Sequence, residues 1–274
     1  MKGDKLEALT VCVNYSDYFE HVVEANYRIF DKWVIVTTDD DFGTKALCAT
    51  YGLSCVVTDV FYKNGASFNK AAGMNEGLKL ISSDAFVIFI DADIVLHDLT
   101  RHTFDSLKFE KDTLYGCDRL ICTGYEKYIK YTKTPGHIMD NWLMHDGGFK
   151  WGARICQYYG IIGEEGRFRG WLPLGFFQMV YRGAFTQLPE GSPKADHYDV
   201  AFGMQFPRDK RVFIPEIMGI HLESEGHWKG QNWGGRLSPP FISTKTVEVL
   251  TPKAALCGKI KKFFKCKTNG NNSI

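Results

Sequence analysis

The chain has 274 residues, 45% of them apolar and 24% charged, with a net charge of +1. That length suits one large α/β domain or two small ones, and the composition excludes disordered, collagen-like and repeat architectures. A near-zero net charge supplies no global field for drawing in a polyanion, so nucleic-acid binding would need a local patch.

In chain order, residues 9–13 read as a strand, 18–30 as a helix, 33–37 as a strand, 43–51 as a helix, 54–57 as a strand, 67–81 as a helix and 86–90 as a strand. Repeated βαβ order implies a parallel sheet covered by helices on both faces. The last strand is the most informative. Phe86-Val87-Ile88-Phe89-Ile90 is continuously apolar, as a strand buried on both faces must be, and it stops at Asp91 and Asp93. Ligands of open α/β sheets bind beyond the carboxyl ends of the strands. Two carboxylates one residue apart repel each other there and are costly to desolvate unless a cation lies between them. Hard oxygen ligands suit Mg²⁺ or Mn²⁺, with a substrate phosphate completing the shell. The competing reading has one Asp capping a helix and the other facing solvent.

Beyond Asp93 the pattern loosens. Residues 114–117 and 176–181 read as strands, 199–206 as a helix, 211–214 as a strand and 219–236 as a Gly- and Trp-rich loop. From residue 251 the chain turns basic, with Lys259, Lys261, Lys262, Lys265 and Lys267 interleaved with Ile260, Phe263 and Phe264. Such a tail has the makeup for peripheral contact with an anionic membrane surface, where each nearby Lys contributes about 1 kcal/mol. A frayed, solvated C-terminus is the plainer account. No stretch reaches the roughly 18 to 20 apolar residues that span a bilayer, and none near the start has signal-peptide character, so a cytoplasmic location is expected. The eight cysteines, Cys12, Cys48, Cys55, Cys117, Cys122, Cys156, Cys257 and Cys266, show no CxxC pair and no zinc spacing. Buried reduced thiols are expected, with Cys12 and Cys55 inside strands; disulfides are the alternative.

The βαβ order, Asp91-Ala92-Asp93 after the fourth strand, and the region ending near His221 resemble a GT-A glycosyltransferase, most of all the inverting family 2 type, over residues 8–222. Phe68-Asn69-Lys70-Ala71 followed by Asn75-Glu76-Gly77-Leu78 is similar to the FNRA…NxG segment of β-1,4-galactosyltransferases, although the Arg of ordinary family 2 helices is here Met74. The resemblance implies an α/β GT-A fold: a Rossmann-like, mostly parallel central sheet with helices on both faces and a less regular acceptor-side half. It implies a single domain over 1–250, with a donor half over 1–117, an acceptor half over 118–250, and then the basic tail 251–274.

It further implies transfer of a sugar, with inversion, from a nucleotide-sugar donor to a hydroxyl of a carbohydrate or other acceptor. A uridine diphosphate sugar is the leading donor. Asp91, Asp93 and His221 would hold Mn²⁺ or Mg²⁺, and Asp91 and Lys70 would meet the diphosphate, helped by a helix N-terminus with Ser67 as cap. Asn14, Tyr15 and Asp39 would hold the nucleoside, and Arg236, in a Gly-rich segment with the makeup of a lid, would neutralise the leaving diphosphate. A general base is needed for the acceptor proton. Asp199 fits best, Asp196 is the second choice, and His197 a third; helix capping alone would also place an Asp at 196 or 199.

Between residues 115 and 171 the aromatics Tyr125, Tyr128, Tyr131, Trp142, Trp151, Tyr158, Tyr159 and Trp171 suit stacking on sugars or bases. The interleaved Lys127, Lys130, Lys133, Lys150, Arg154, Arg167 and Arg169 would also suit a phosphorylated or nucleic-acid acceptor. Three rival readings stand. A nucleotidyltransferase would carry a Gly-rich phosphate loop where this chain has Asn14-Tyr15-Ser16-Asp17. A retaining glycosyltransferase needs the same carboxylates but no base. A carbohydrate- or nucleic-acid-binding module would bind without turnover.

Overall fold

The computed structural model describes residues 4–134, 161–162, 168–170, 172–224 and 232–243. Nearly all of them belong to one compact unit, Met1–Phe241; a second, Ile242–Ile274, contributes almost nothing to the described residues. The elements are β1 (Lys5–Val11), α1 (Ser16–Asn26), β2 (Lys32–Thr37), α2 (Phe42–Tyr51), β3 (Ser54–Val57), α3 (Lys70–Leu78), β4 (Ala85–Ile90), β5 (Ile94–Leu96), α4 (Thr100–Ser106), β6 (Leu114–Thr123), α5 (Tyr125–Lys133), β7 (Ile161–Ile162), β8 (Phe168–Arg169), β9 (Phe177–Tyr181), α6 (Tyr198–Gly203) and β10 (Arg211–Glu223). No helix among the described residues is long and apolar enough to cross a membrane.

Among the described residues the strands form one ten-stranded α/β sheet in the order β3-β2-β1-β4-β9-β6-β10-β8-β7, with β5 pairing onto β10. β3, β2, β1 and β4 run parallel. β9 enters antiparallel between β4 and β6, and β10 lies parallel to β6. The chain leaves β1 toward β2 and β3, then returns to β4 on the other flank of β1. That reversal opens a crevice at the tips of β1 and β4, where ligands of such sheets bind.

Period-two alternation divides the core between the two faces. Leu6, Ala8, Ile35, Phe86 and Ile88 pack with α1 on one side, and Leu9, Val11, Val34, Val36, Val87 and Phe89 pack with α3 on the other. All six residues of β4 are buried, as its unbroken apolar run requires. Helix α3 approaches β1 and β2 very closely because it presents glycine to them. A Cβ at Gly77 would lie 2.3 Å from Leu9 Cδ1 and 2.6 Å from Val36 Cγ2. Gly77→Ala gains about 1 kcal/mol of helix propensity, but overpacking costs about 1 to 3 kcal/mol. The substitution is expected to lower the urea midpoint, and a midpoint at or above that of the wild type would contradict this packing.

Three expectations are corrected. Strand β10 does not end at residue 214: its register with β6 shifts between Phe213 and Met218, across Pro215 and exposed Glu216, and pairing resumes as far as Glu223. Proline cannot donate to a ladder, so it falls at the irregularity. Strand β6 extends past 117 to Thr123, because Asp118 and Arg119 interrupt its apolar pattern without ending its pairing. Cys55 is exposed rather than buried, since β3 is an edge strand. The described cysteines, Cys12, Cys48, Cys55, Cys117 and Cys122, are free; Cys156, Cys257 and Cys266 lie outside the described residues, as does the basic tail.

Candidate active site

The acidic tip of β4 is held by backbone on both sides. Asp91 N donates to Phe176 O (3.2 Å), and Ile94 N donates to Asp91 O (3.3 Å), closing a turn that leads directly into β5. β5 pairs antiparallel with β10 and sets Ile94 opposite His221, while Leu222 N donates to Asp93 O (2.8 Å). This short strand brings Asp93 to His221 across 128 residues of sequence: His221 Nε2 lies 3.2 Å from Asp93 Oδ2, and its Nδ1 lies 3.4 Å from Glu223 Oε1. Asp91 instead forms an ion pair with Lys70 at the start of α3, whose Nζ is 5.5 Å from the Tyr198 ring centroid.

The two carboxyls are driven apart in acidity. Burial pushes Asp91 above its ordinary value, against the pull of Lys70. Burial acts on Asp93 in the same sense, but His221, Lys70 and Arg119 together outweigh it and hold that carboxyl low. Burial also opposes the charge on Lys70, yet Asp91 and Tyr198 raise its pKa above that of an ordinary lysine. Asp93 Oδ1 is buried without a hydrogen-bond partner. Among the described residues no group of three or more His, Cys, Asp or Glu side chains is placed to hold a metal ion: Asp93 pairs with His221, while Asp91 is turned to Lys70. Asp93, with its orphaned oxygen, and the adjacent His221 imidazole form an open pair of donors beside Asp91. It fits a hard divalent ion whose shell is finished by phosphate oxygens.

Opposite this pair, α6 presents Asp199 in its first turn. Asp199 Oδ2 accepts from Gly175 N (2.7 Å) and Oδ1 accepts from Val200 N (2.8 Å), which fixes the carboxylate. A Cβ on Gly175 would meet both Asp199 Cβ and Tyr198 Oη at 2.9 Å, so only glycine permits this approach. Asp196 accepts from the Ser192 hydroxyl and lies 3.3 Å from His197 Nδ1; the Ser192 contact is the main reason its carboxyl is held below the ordinary range. His197 itself has left-handed backbone (φ 61°) and an exposed ring. The loop leading here is tied to α3, for Asn75 Nδ2 donates to Leu188 O (3.0 Å) and Leu188 N donates back to Asn75 Oδ1 (2.8 Å). The cap of α3 is Asn69, whose Oδ1 accepts from Ala72 N (3.0 Å), and not Ser67, whose hydroxyl donates to Pro193 O (3.3 Å).

At the tip of β1, Tyr15 stacks on Tyr18 with centroids 4.4 Å apart and accepts from Asn232 Nδ2 at 3.0 Å. Asn14 takes positive φ (55°), and its N donates to Asp41 Oδ2 (2.7 Å). Asp41 is the buried cap of α2, accepting from Thr44 N at 3.0 Å. Asp39, the expected nucleoside contact, is 95% exposed, pairs with Lys45 and does not line the cleft. Arg236 does line it, but its guanidinium is already spent. Nη1 and Nη2 grip Asp17 (2.5 and 2.7 Å), Nη1 also reaches Asn14 O (2.8 Å), Nη2 reaches Pro239 O (3.0 Å), and Nε reaches Ser238 O (3.0 Å). With five N–H donors available to any arginine, this one acts as a latch holding the segment after residue 232 onto α1.

A single cleft of about 1070 Å³ takes in Asn14, Tyr15, Lys70, Asp91, Asp93, Asp196, Asp199, His221 and Arg236. Trp233 and Asn232, in the Gly-rich segment read as a lid, also line it, as do Arg119, Tyr198 and Glu223, which sequence reasoning missed. Glu223 was within reach of a period-two reading from His221, and Arg119 would have been had β6 been extended past residue 117. The aromatic candidates Trp142, Trp151, Tyr158, Tyr159 and Trp171, and the cations Lys150, Arg154 and Arg167, lie outside the described residues, as does Lys229, the other cation of the lid-like Gly-rich segment.

No protein-family model and no curated protein matches the chain. Among solved structures it is similar to a mycobacterial protein (10% identity, 84% of this chain and 70% of that one, TM-score 0.48). It is also similar to glucosyl-3-phosphoglycerate synthase from Mycobacterium tuberculosis, solved with Mn²⁺, uridine diphosphate and glucosyl-3-phosphoglycerate (13% identity, 80% and 72%, TM-score 0.46). A third is mannosyl-3-phosphoglycerate synthase from Rubrobacter xylanophilus (17% identity, 42% and 41%, TM-score 0.30). These likenesses are remote, and the chemistry of the cleft follows from its own residues.

Proposed function

We propose that this chain is a GT-A-type glycosyltransferase that moves a sugar from a nucleoside-diphosphate sugar, a uridine diphosphate sugar first among them, to an acceptor hydroxyl with inversion. The observation that carries this reading is the carboxylate pair Asp91 and Asp93, at the tip of the innermost parallel strand and open to a cleft that also contains a fixed carboxylate, Asp199. Mn²⁺ or Mg²⁺ held by Asp91, Asp93 and His221 would neutralise charge on the departing diphosphate.

The remaining roles belong to the chain's own side chains. Lys70, kept cationic by Asp91 and Tyr198, exchanges part of that pairing for a phosphate oxygen when donor enters. Asp199, oriented by Gly175 N and Val200 N, takes the acceptor's proton as its oxygen attacks the anomeric carbon from the face opposite the diphosphate. Tyr15 and Asn14 border the nucleoside end, held in shape by the Arg236 latch.

A panel of nucleotide sugars assayed for diphosphate release, with and without Mn²⁺, tests the reading. Metal-dependent release with at least one donor is expected, with inverted product by nuclear magnetic resonance. Release unaffected by chelation would overturn the metal role, and retained configuration would overturn the role of Asp199.

A further inference from the structure

Strands β6 and β10 run in parallel register, with Arg119 opposite Gly219, Ile121 opposite His221 and Thr123 opposite Glu223. All of these except Gly219 line the cleft, so one face of this strand pair forms part of its wall. Arg119 is unusual in it. Its cross-strand neighbour is a glycine and offers no side chain. Its Nε is buried without a hydrogen-bond partner, and its guanidinium lies 4.4 Å from the Phe176 ring centroid. An arginine supported by a ring face, without a fork of carboxylate oxygens, leaves bidentate donors for whatever enters the cleft. Lys127, in the first half of α5, adds a second cation to the same lining.

The turn before β9 sets where that entrant must be. Gly175 N holds the Asp199 carboxylate, and the next residue, Phe176, supports Arg119 while its carbonyl accepts from Asp91 N. Consecutive Cα atoms are about 3.8 Å apart, so Asp199 and Arg119 are braced by neighbouring positions of one short turn. A small molecule that presents a hydroxyl to Asp199 has Arg119 within its own length. The strand order puts Arg119 on β6, and the turn before β9 that holds Asp199, on the far side of β4 from the β1 tip where the nucleoside end lies.

We propose that Arg119 anchors a negatively charged group, a phosphate or a carboxylate, on the acceptor, so that the acceptor is an anionic hydroxyl compound and not a neutral saccharide. This deepens the glycosyltransferase reading and rests on it. A neutral sugar would leave the buried Nε edge of the guanidinium without an acceptor, which is how a site built for a charged group rejects its uncharged analogue.

The test uses the full chain and calorimetric titration with inorganic phosphate and, separately, acetate, each with and without saturating Mn²⁺ and uridine diphosphate to occupy the donor site. At least one of the two anions is expected to bind while the donor site is full, and the tighter of the two identifies the group. Arg119→Gln is expected to weaken that binding at least tenfold and to change Mn²⁺-dependent nucleotide binding by less than that, because His221 and Lys70 still hold the Asp93 carboxyl low. Arg119→Lys, which keeps the charge and the stem, should lose the bidentate part and fall between. Binding of neither anion, binding unchanged in Arg119→Gln, or anion binding that disappears when nucleotide and Mn²⁺ are added would overturn the proposal. In the last case Arg119 serves the donor diphosphate. Should Arg119→Gln fail to fold, unweakened anion binding by Arg119→Lys decides against it. Failure of the wild type to bind any nucleoside diphosphate would instead sink the glycosyltransferase reading, which the nucleotide titration reads independently of the anions.

Discussion

Asp93→Asn is expected to lower donor turnover by roughly a thousandfold or more while leaving the protein folded. The size follows from the role: charge stabilisation by a bound ion supplies several kcal/mol, and about 4 kcal/mol corresponds to three powers of ten in rate. The fold should survive because the backbone around the acidic tip is held independently of the side chain, by Asp91 N to Phe176 O and by Leu222 N to Asp93 O. The amide gives up the charge that His221, Lys70 and Arg119 stabilise, so a modest fall in the thermal midpoint with a still cooperative transition is expected. Thermal melting and diphosphate release, measured on the same preparation, check both halves. A folded variant that turns over donor undiminished would contradict the assignment.

Asp199→Asn is expected to lower kcat by about 10² to 10⁴, the usual contribution of a general base, with donor affinity retained. Asparagine keeps the shape but cannot take a proton, and its amide places N–H₂ against either Gly175 N or Val200 N, both of which are donors. Asp196→Asn is expected to cost less than about tenfold on the same scale, because its carboxylate is occupied by Ser192 and His197 at the loop edge. Steady-state kinetics on both variants, with nucleotide affinity measured separately, distinguish them. A large kcat loss at 196 with near-normal turnover at 199 would move the base to Asp196.

Much of the donor half was legible because its physics is local. Continuous apolarity announced β4, the alternation of short strands and helices announced the parallel sheet, and the carboxylates followed where the apolar run stopped. What escaped the sequence was set by distant partners. Nothing near Asp93 indicates that β5, three residues long, turns back to pair with β10 and deliver His221. Arg236 was an apt phosphate ligand by residue type, but Asp17, more than 200 positions earlier, takes its fork. Of the triple aspartate, Asp41 took the capping role that buries it, and Asp39 was left in solvent. Arg119 was missed because a charged pair inside β6 looked like the end of a strand, whereas pairing with β10 carries that strand six residues further.

The central claim is that Asp91 and Asp93 grip a diphosphate through a divalent cation. Its most direct test is calorimetric titration of uridine, guanosine, cytidine and adenosine diphosphates into the wild type and into Asp93→Asn, each with and without Mn²⁺. The account predicts that at least one nucleotide binds the wild type ten times more tightly or better with Mn²⁺, and that this gain disappears in the variant. Equal affinity with and without the ion in the wild type, or a full Mn²⁺ gain in Asp93→Asn, would contradict it.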